Sequence, residues 1–404
     1  MGMKILQINS VCGVTGTGRI VTNLYDAAQK QGHECIIAYG EHKYQNHPGD
    51  RKTIEIGTMR DCNLHAAATR LWDAQGFASR RATEEFLKKV DEYAPDIVHL
   101  HNLHGYYLNI DLLFRYLKQK KLKVVWTLHD CWSFTGHCVH FLEVGCDKWK
   151  TECGHCPLTR QYPASLFVDR SARNYRRKKE LFTGIEDMTL LVPSHWLESR
   201  VKQSFLQEYP TKVIYNGIDL DTYHPTAGNF REKYGLQDKF IVLGVANVWV
   251  ERKGLATFLK LAEHLGTTAK IVLVGLTREQ IQALPEGVLG LPRTDTPTEL
   301  AEIYTAADVF VNPSREETFG LTVAEAMACG TWPIVYADTA CAEVVEHGKG
   351  QIVTGDLPEL EAAIRNCIQQ GVPGDIAPAA AVFSGERFGR EVVNIYEQKA
   401  GKER

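Results

Sequence analysis

The sequence predicts a two-domain α/β protein with a mainly parallel sheet in each half. Three observations carry this. The chain has 404 residues, more than one ordinary core fills. Short apolar runs such as Met3–Ile8, Val124–Leu128, Phe240–Ala246 and Val309–Val311 stop at turn residues or polar loops, as strands buried on both faces do. Helix-period stretches lie between them, the alternation that builds parallel sheets through crossover helices. Hydrophobic residues make up 44% and aromatics 9%, values of a globular protein, and no run of about 18 apolar residues suggests a membrane span. A net charge of −3 argues against a nucleic-acid partner. The opening MGMKILQINS reads as a buried strand, not a signal peptide, so a cytoplasmic location is expected. In that compartment eleven cysteines are expected as thiols or metal ligands, not disulfides.

In the first half, the strand Met3–Ile8 leads into a loop, Gly13-Val-Thr-Gly16-Thr-Gly18, then a helix to about Gln31 and a strand Cys35–Tyr39. Strand, glycines and helix in that order let backbone approach a ligand, although a tight turn alone needs the same glycines. Residues 41–80 are weakly patterned, with a helical stretch near 63–75, and a charged helix covers Arg80–Tyr93. Pro95–His101 is a buried strand running into a loop, where His99 and His101 either line a cleft or are satisfied core histidines. Val124–Asp130 repeats the pattern and ends in His129-Asp130. Residues 131–163 form a Cys-rich insertion, with Cys138, Cys146, Cys153 and Cys156 at spacings of seven, six and two. Two readings stand: a structural zinc held by four thiolates, or reduced and partly buried thiols. A predicted helix over 170–181 carries six basic side chains, as a solvated face or as a contact for anionic lipid. The strand Leu190–Ser194, a helix His195–Phe205 and the turn Asn216-Gly217 close this half, with the boundary expected near 210.

The second half opens with the strand Phe240–Ala246, followed by Asn247 and the pair Arg252-Lys253 before a helix from Leu255. Two cations at such a loop suit a diphosphate, or are a plain exposed pair. A strand Lys270–Gly275, the loop Gly290–Thr294 with Arg293, and a helix Thr296–Ala306 come next. Strand Val309–Val311, a polar loop and a helix from Gly320 to Cys329 then place Glu317 beside a helix N-terminus and Glu325 on the helix, seven residues intervening. Free N–H groups at Gly320, Leu321 and Thr322 can cradle an anion, and carboxylates beside it can accept hydrogen bonds from sugar hydroxyls. Taken alone, the same glutamates could simply complement the macrodipole or face solvent. Helices over 339–346 and 357–369 and a terminal helix from 383 complete the chain.

The stretch 309–335 resembles the Glu-seven-Glu motif of retaining glycosyltransferase family 4, and the likeness runs over nearly the whole chain. It implies the GT-B fold: two Rossmann-like domains facing a central cleft, here 1–210 on the acceptor side, 211–383 on the nucleotide-sugar side, and a helix 384–404 crossing back. By the same resemblance Glu317 contacts the donor sugar, Glu325 the ribose, and the backbone of Phe319, Gly320, Leu321 and Thr322 the diphosphate. Gly16 and Gly18 fall near the donor phosphates, His129 near the sugar, and Arg293 near the base. Lys253 matches the family lysine, whereas Asn247 stands where the family has arginine, which leaves Arg252 as the candidate substitute. The insertion resembles that of the bacterial exopolysaccharide branch, including colanic-acid galactosyltransferase-like enzymes.

These likenesses imply hexose transfer from a nucleotide sugar, with UDP favoured, to a growing glycan, polyprenyl-diphosphate-linked, at the inner face of the membrane. They imply no catalytic metal, any zinc being structural. A catalytically weak nucleotide-sugar binder and a GT-B sugar phosphorylase remain as alternative readings.

Overall fold

The computed structural model describes residues 2–401, which form two compact units, residues 2–215 with 388–401 and Asn216–Arg387. Both are parallel sheets wound with helices. The first sheet consists of β1 (Lys4–Ile8), β2 (Glu34–Tyr39), β3 (Thr53–Glu55), β4 (Ile97–Leu100), β5 (Lys123–Thr127), β6 (Met188–Val192) and β7 (Thr211–Val213), in the order β3-β2-β1-β4-β5-β6-β7. The second consists of β8 (Phe240–Val245), β9 (Ala269–Val274), β10 (Val288–Leu291), β11 (Val309–Asn312), β12 (Trp332–Tyr336) and β13 (Gln351–Val353), in the order β10-β9-β8-β11-β12-β13. Each order reverses direction at its first strand, and the C-terminal edge there is where such sheets take ligands. The chain divides after Tyr215, since Thr211–Val213 still pairs in parallel with β6.

The central strands β4, β6 and β11 are buried at every position, which accounts for their unbroken apolar runs. The last helix, Gly385–Ala400, places Phe388, Val392, Val393 and Tyr396 in the core of the first unit beside Ile5, Leu24 and Ile37. Gly389 permits this approach: a Cβ there would lie 2.6 Å from that of Ala27.

Local structure departs from expectation at three places. The first helix begins at Thr15, so Gly16 and Gly18 lie in its opening turn, and the loop glycine is Gly13, with φ +71°. A Cβ on Gly13 would meet the His47 carbonyl at 2.1 Å, a constraint not visible in the local sequence. The weakly patterned 41–80 region contains β3 and a helix Met59–Trp72, started by a reciprocal cap between Thr58 and Asp61.

The basic helix, Ser171–Phe182, is not a continuous cationic face: Arg177 pairs with Asp111, Arg176 lies 3.5 Å from Glu152, and Lys178 is buried. Lys178 donates to the carbonyls of Trp132 and Thr135 and sits over the Trp132 ring at 3.4 Å, pinning the start of the insertion. Burial pushes its ammonium down to about 7 from lysine's 10.5, with nearby Cys153 acting weakly the other way. Between those values the unfolded chain holds a proton that the folded chain lacks, so the contribution to stability rises with pH and is lost as pH falls through 7. Lys178→Met is expected to flatten that rise, read from urea midpoints at pH 6, 8 and 10.

Candidate functional site

The chemistry of the second unit gathers where β11 meets the helix Leu321–Ala328. Asn312 turns the chain, its side-chain oxygen accepting from Ser314 N–H at 3.1 Å. The loop then reaches Gly320, the N-cap, at φ +105°, a conformation that glycine adopts without strain. A Cβ there would also lie 2.6 Å from Cys341 Sγ. Gly320→Ala is therefore expected to cost about 1–3 kcal/mol, measured by chemical denaturation, because it tilts the helix start out of place.

The first N–H groups of this helix, at Leu321 and Thr322, have no intrahelical acceptor and carry the positive end of the dipole. Beside them Glu317 forms an ion pair with Lys253, from a loop 64 residues earlier. The loops are zipped by backbone: Arg315 N–H donates to the Arg252 carbonyl at 2.9 Å, and Arg252 Nη1 to the Glu316 carbonyl at 3.3 Å. Gly254, with φ +78°, lets the loops close, since a Cβ would sit 2.7 Å from Pro313. Burial pushes the Glu317 carboxyl up, but the Lys253 ammonium, helped by Arg252, brings it below its ordinary value. The result is a carboxylate and two cations at one helix N-terminus, able to hold a phosphate and the hydroxyls of a group attached to it.

Glu325 lies further along the same helix, buried, with its Oε2 accepting from Tyr304 O–H at 3.3 Å. Tyr304, on the helix Pro297–Ala306, was missed from sequence because it sits in an apolar period like any core residue. Burial, and then the Glu325 charge, push its phenol well up, so it stays a donor.

The Phe319 side chain is buried edge-to-face on Phe383 at 5.8 Å, so it anchors the loop. Asn247 is exposed. Arg293 lines a cavity of about 290 Å³ with Phe230, Lys233, Tyr234 and Glu299.

In the first unit, His129 is half-buried and linked through Nε2 to His101 Nδ1 at 3.1 Å. Burial lowers its pKa to about 4, leaving a neutral ring, with Asp130 opposing weakly. His99 and His101 are fully enclosed and hydrogen-bonded, His99 to Tyr396 and Thr127, His101 to Gln7, which makes them core histidines. Asp130 accepts from Trp132 N–H at 2.9 Å and lies 2.6 Å from His104 Nε2. Burial would raise this carboxyl, but His104 holds it down to about 2. It braces the insertion.

Among the described residues no group of three or more His, Cys, Asp or Glu is placed to hold a metal ion. The sulfurs of Cys138 and Cys156 hydrogen-bond each other, Cys153 Sγ accepts from Gly136 N–H at 3.2 Å, and Cys146 is a free thiol. Buried aromatic rings, Phe134 and Phe141 on Trp149, pack the interior of the insertion.

Residues 14–222 match Glycosyltransferase Family 4, and residues 239–370 match Glycosyl transferases group 1. A relative from Escherichia coli (strain K12), named as a colanic acid biosynthesis glycosyl transferase, WcaC, is 26% identical over 98% of this chain and 100% of its own. Sucrose-phosphate synthase from Thermosynechococcus elongatus shares the fold with a TM-score of 0.73 at 19% identity, covering 98% of each chain. Anabaena Alr3699/HepE in complex with UDP-glucose does so with a TM-score of 0.66 at 18% identity, covering 98% of this chain and 100% of that one.

Proposed function

Since the chain belongs to glycosyltransferase family 4 and is a transferase of the GT-B fold, we propose that it moves a hexose from a UDP-sugar to a growing surface polysaccharide with retention at the anomeric carbon. The observation that carries this is the Lys253–Glu317 pair at the N-terminus of the helix that also bears Glu325. In this reading the diphosphate sits on the Leu321 and Thr322 amides with Lys253 and Arg252 beside it, Glu317 takes sugar hydroxyls and Glu325 the ribose. As the bond between anomeric carbon and phosphate oxygen breaks, negative charge grows on the leaving diphosphate, and groups already oriented towards it lower the barrier. The acceptor hydroxyl enters on the same face and its proton passes to the leaving oxygen, so no separate base is required. Colanic acid biosynthesis is the role in the name of the Escherichia coli relative, and the Anabaena protein is in complex with UDP-glucose.

A lipid-linked acceptor presented at a bilayer is supported by the outer face of the helix Met59–Trp72. Leu64 and Leu71 are exposed there with Arg60 and Arg70, Trp72 is 51% exposed, and on a second segment Leu166 is exposed and Phe167 beside it is 74% exposed. Leu166 N–H donates to the Arg70 carbonyl, which joins the two segments. Apolar and aromatic side chains among arginines suit an anionic bilayer surface, whereas among the described residues no helix is long and apolar enough to cross one. Trp72→Ser with Phe167→Ser is expected to reduce co-sedimentation with phosphatidylglycerol vesicles.

Thermal-shift titration against UDP, GDP and their sugars, followed by assay of nucleotide diphosphate release, tests the transfer reading. A selective shift with one UDP-sugar and release of UDP are expected. Binding without release would favour the nucleotide-sugar binder, release of inorganic phosphate the phosphorylase, and no binding would reject the site.

A further inference from the structure

We infer that Gln7 and His101 are positioning residues that hold His129 in the tautomer carrying its proton on Nε2, so that the ring presents Nδ1 as a hydrogen-bond acceptor. The inference deepens the transferase reading and rests on it where it speaks of substrate.

The argument begins at Gln7 on β1, a fully buried amide. Its Nε2 donates to the Val21 carbonyl at 3.1 Å, and because a carbonyl can only accept, the amide has one possible orientation. Its Oε1 therefore faces His101 Nε2, 3.2 Å away, and that nitrogen must carry the proton. His101 is enclosed in the sheet, and burial drives its pKa far down, so the ring is neutral and holds a single proton. His101 Nδ1 is then bare and can only accept. The atom facing it is His129 Nε2 at 3.1 Å, which must donate. His129 is itself neutral, so its one proton is committed to this bond and Nδ1 keeps its lone pair.

The three residues stand on neighbouring strands, Gln7 on β1 and the two histidines just beyond β4 and β5, and β1, β4 and β5 are adjacent in the sheet. The chain of bonds thus runs along the C-terminal edge of the sheet, from a fixed acceptor in the core to a half-buried ring. His99 beside it shows the contrast. Its partners, Tyr396 O–H at 2.5 Å and Thr127 Oγ1 at 2.7 Å, can each donate or accept, so they impose no tautomer. An imidazole without such a relay populates both tautomers.

The consequence is selective. A lone-pair nitrogen accepts from a hydroxyl or an N–H and is repelled by a carboxylate, so the tautomer decides which groups His129 takes.

The experiment is two-dimensional ¹H–¹⁵N spectroscopy of the full chain labelled in histidine, in which the two neutral tautomers have distinct nitrogen shifts. His129, assigned by comparison with His129→Gln, is expected to show a protonated Nε2 and an unprotonated Nδ1. Gln7→Met, which removes the acceptor, is expected to give a mixture of tautomers and to raise KM for the donor sugar about five-fold, roughly the worth of one neutral hydrogen bond, with little change in kcat. Gln7→Glu, which still accepts from His101, should restore the single tautomer. A protonated Nδ1 in the unmodified protein would overturn the inference, and that reading needs no variant to fold. If the unmodified protein transfers no sugar, the transferase reading fails while the spectrum still decides the tautomer.

Discussion

Lys253→Met is expected to lower turnover by about 10²–10³-fold, the usual effect of removing one oriented donor from developing charge. The lysine is held by Glu317 and by a loop whose backbone is bonded to Arg315, so its ammonium is in place before any ligand arrives. Methionine keeps the length of the side chain and its apolar stem but has no charge. The diphosphate should also bind more weakly, so the thermal shift with UDP should shrink together with kcat. Unchanged turnover would mean that Arg252 and the helix amides carry the phosphate alone.

Glu317→Ala is expected to lower turnover by one to two orders of magnitude, about 1.5–3 kcal/mol for a charge-assisted hydrogen bond. In contrast to the lysine variant, the shift with UDP should survive, because Glu317 is assigned to the sugar and not to the nucleotide. The two residues touch, so the effects should not add: Lys253→Met combined with Glu317→Ala should lose less than the product of the single losses. Additive losses would indicate that the pair does not act together.

The glutamate spacing, the helix start at Gly320 and the strand-helix alternation were legible in the sequence because each is set within a few residues. Turn chemistry, a helix period and a continuous apolar run are short-range signals, and they were sufficient to predict two parallel α/β domains and the neighbourhood of Glu317 and Glu325. The resemblance to a known family supplied the roles of those residues, which local physics left open between ligand binding and a solvated helix.

What only the tertiary structure decided depends on strand order. Lys253 meets Glu317 because β8 and β11 are neighbours and Gly254 allows the loops to touch. Tyr304 reaches Glu325, and Gln7 reaches His101, across separations of 21 and 94 residues with no local signature. Lys178 looked like one charge in a basic run, yet it is enclosed, since only packing decides which side of a charged helix meets the insertion. The four cysteines had a ligand-like spacing, which left their partners open; packing puts Cys138 against Cys156 and gives Cys153 a backbone N–H to accept from. Spacing along the chain limits how far apart two groups can lie; the direction in which each points is set by the packing around it.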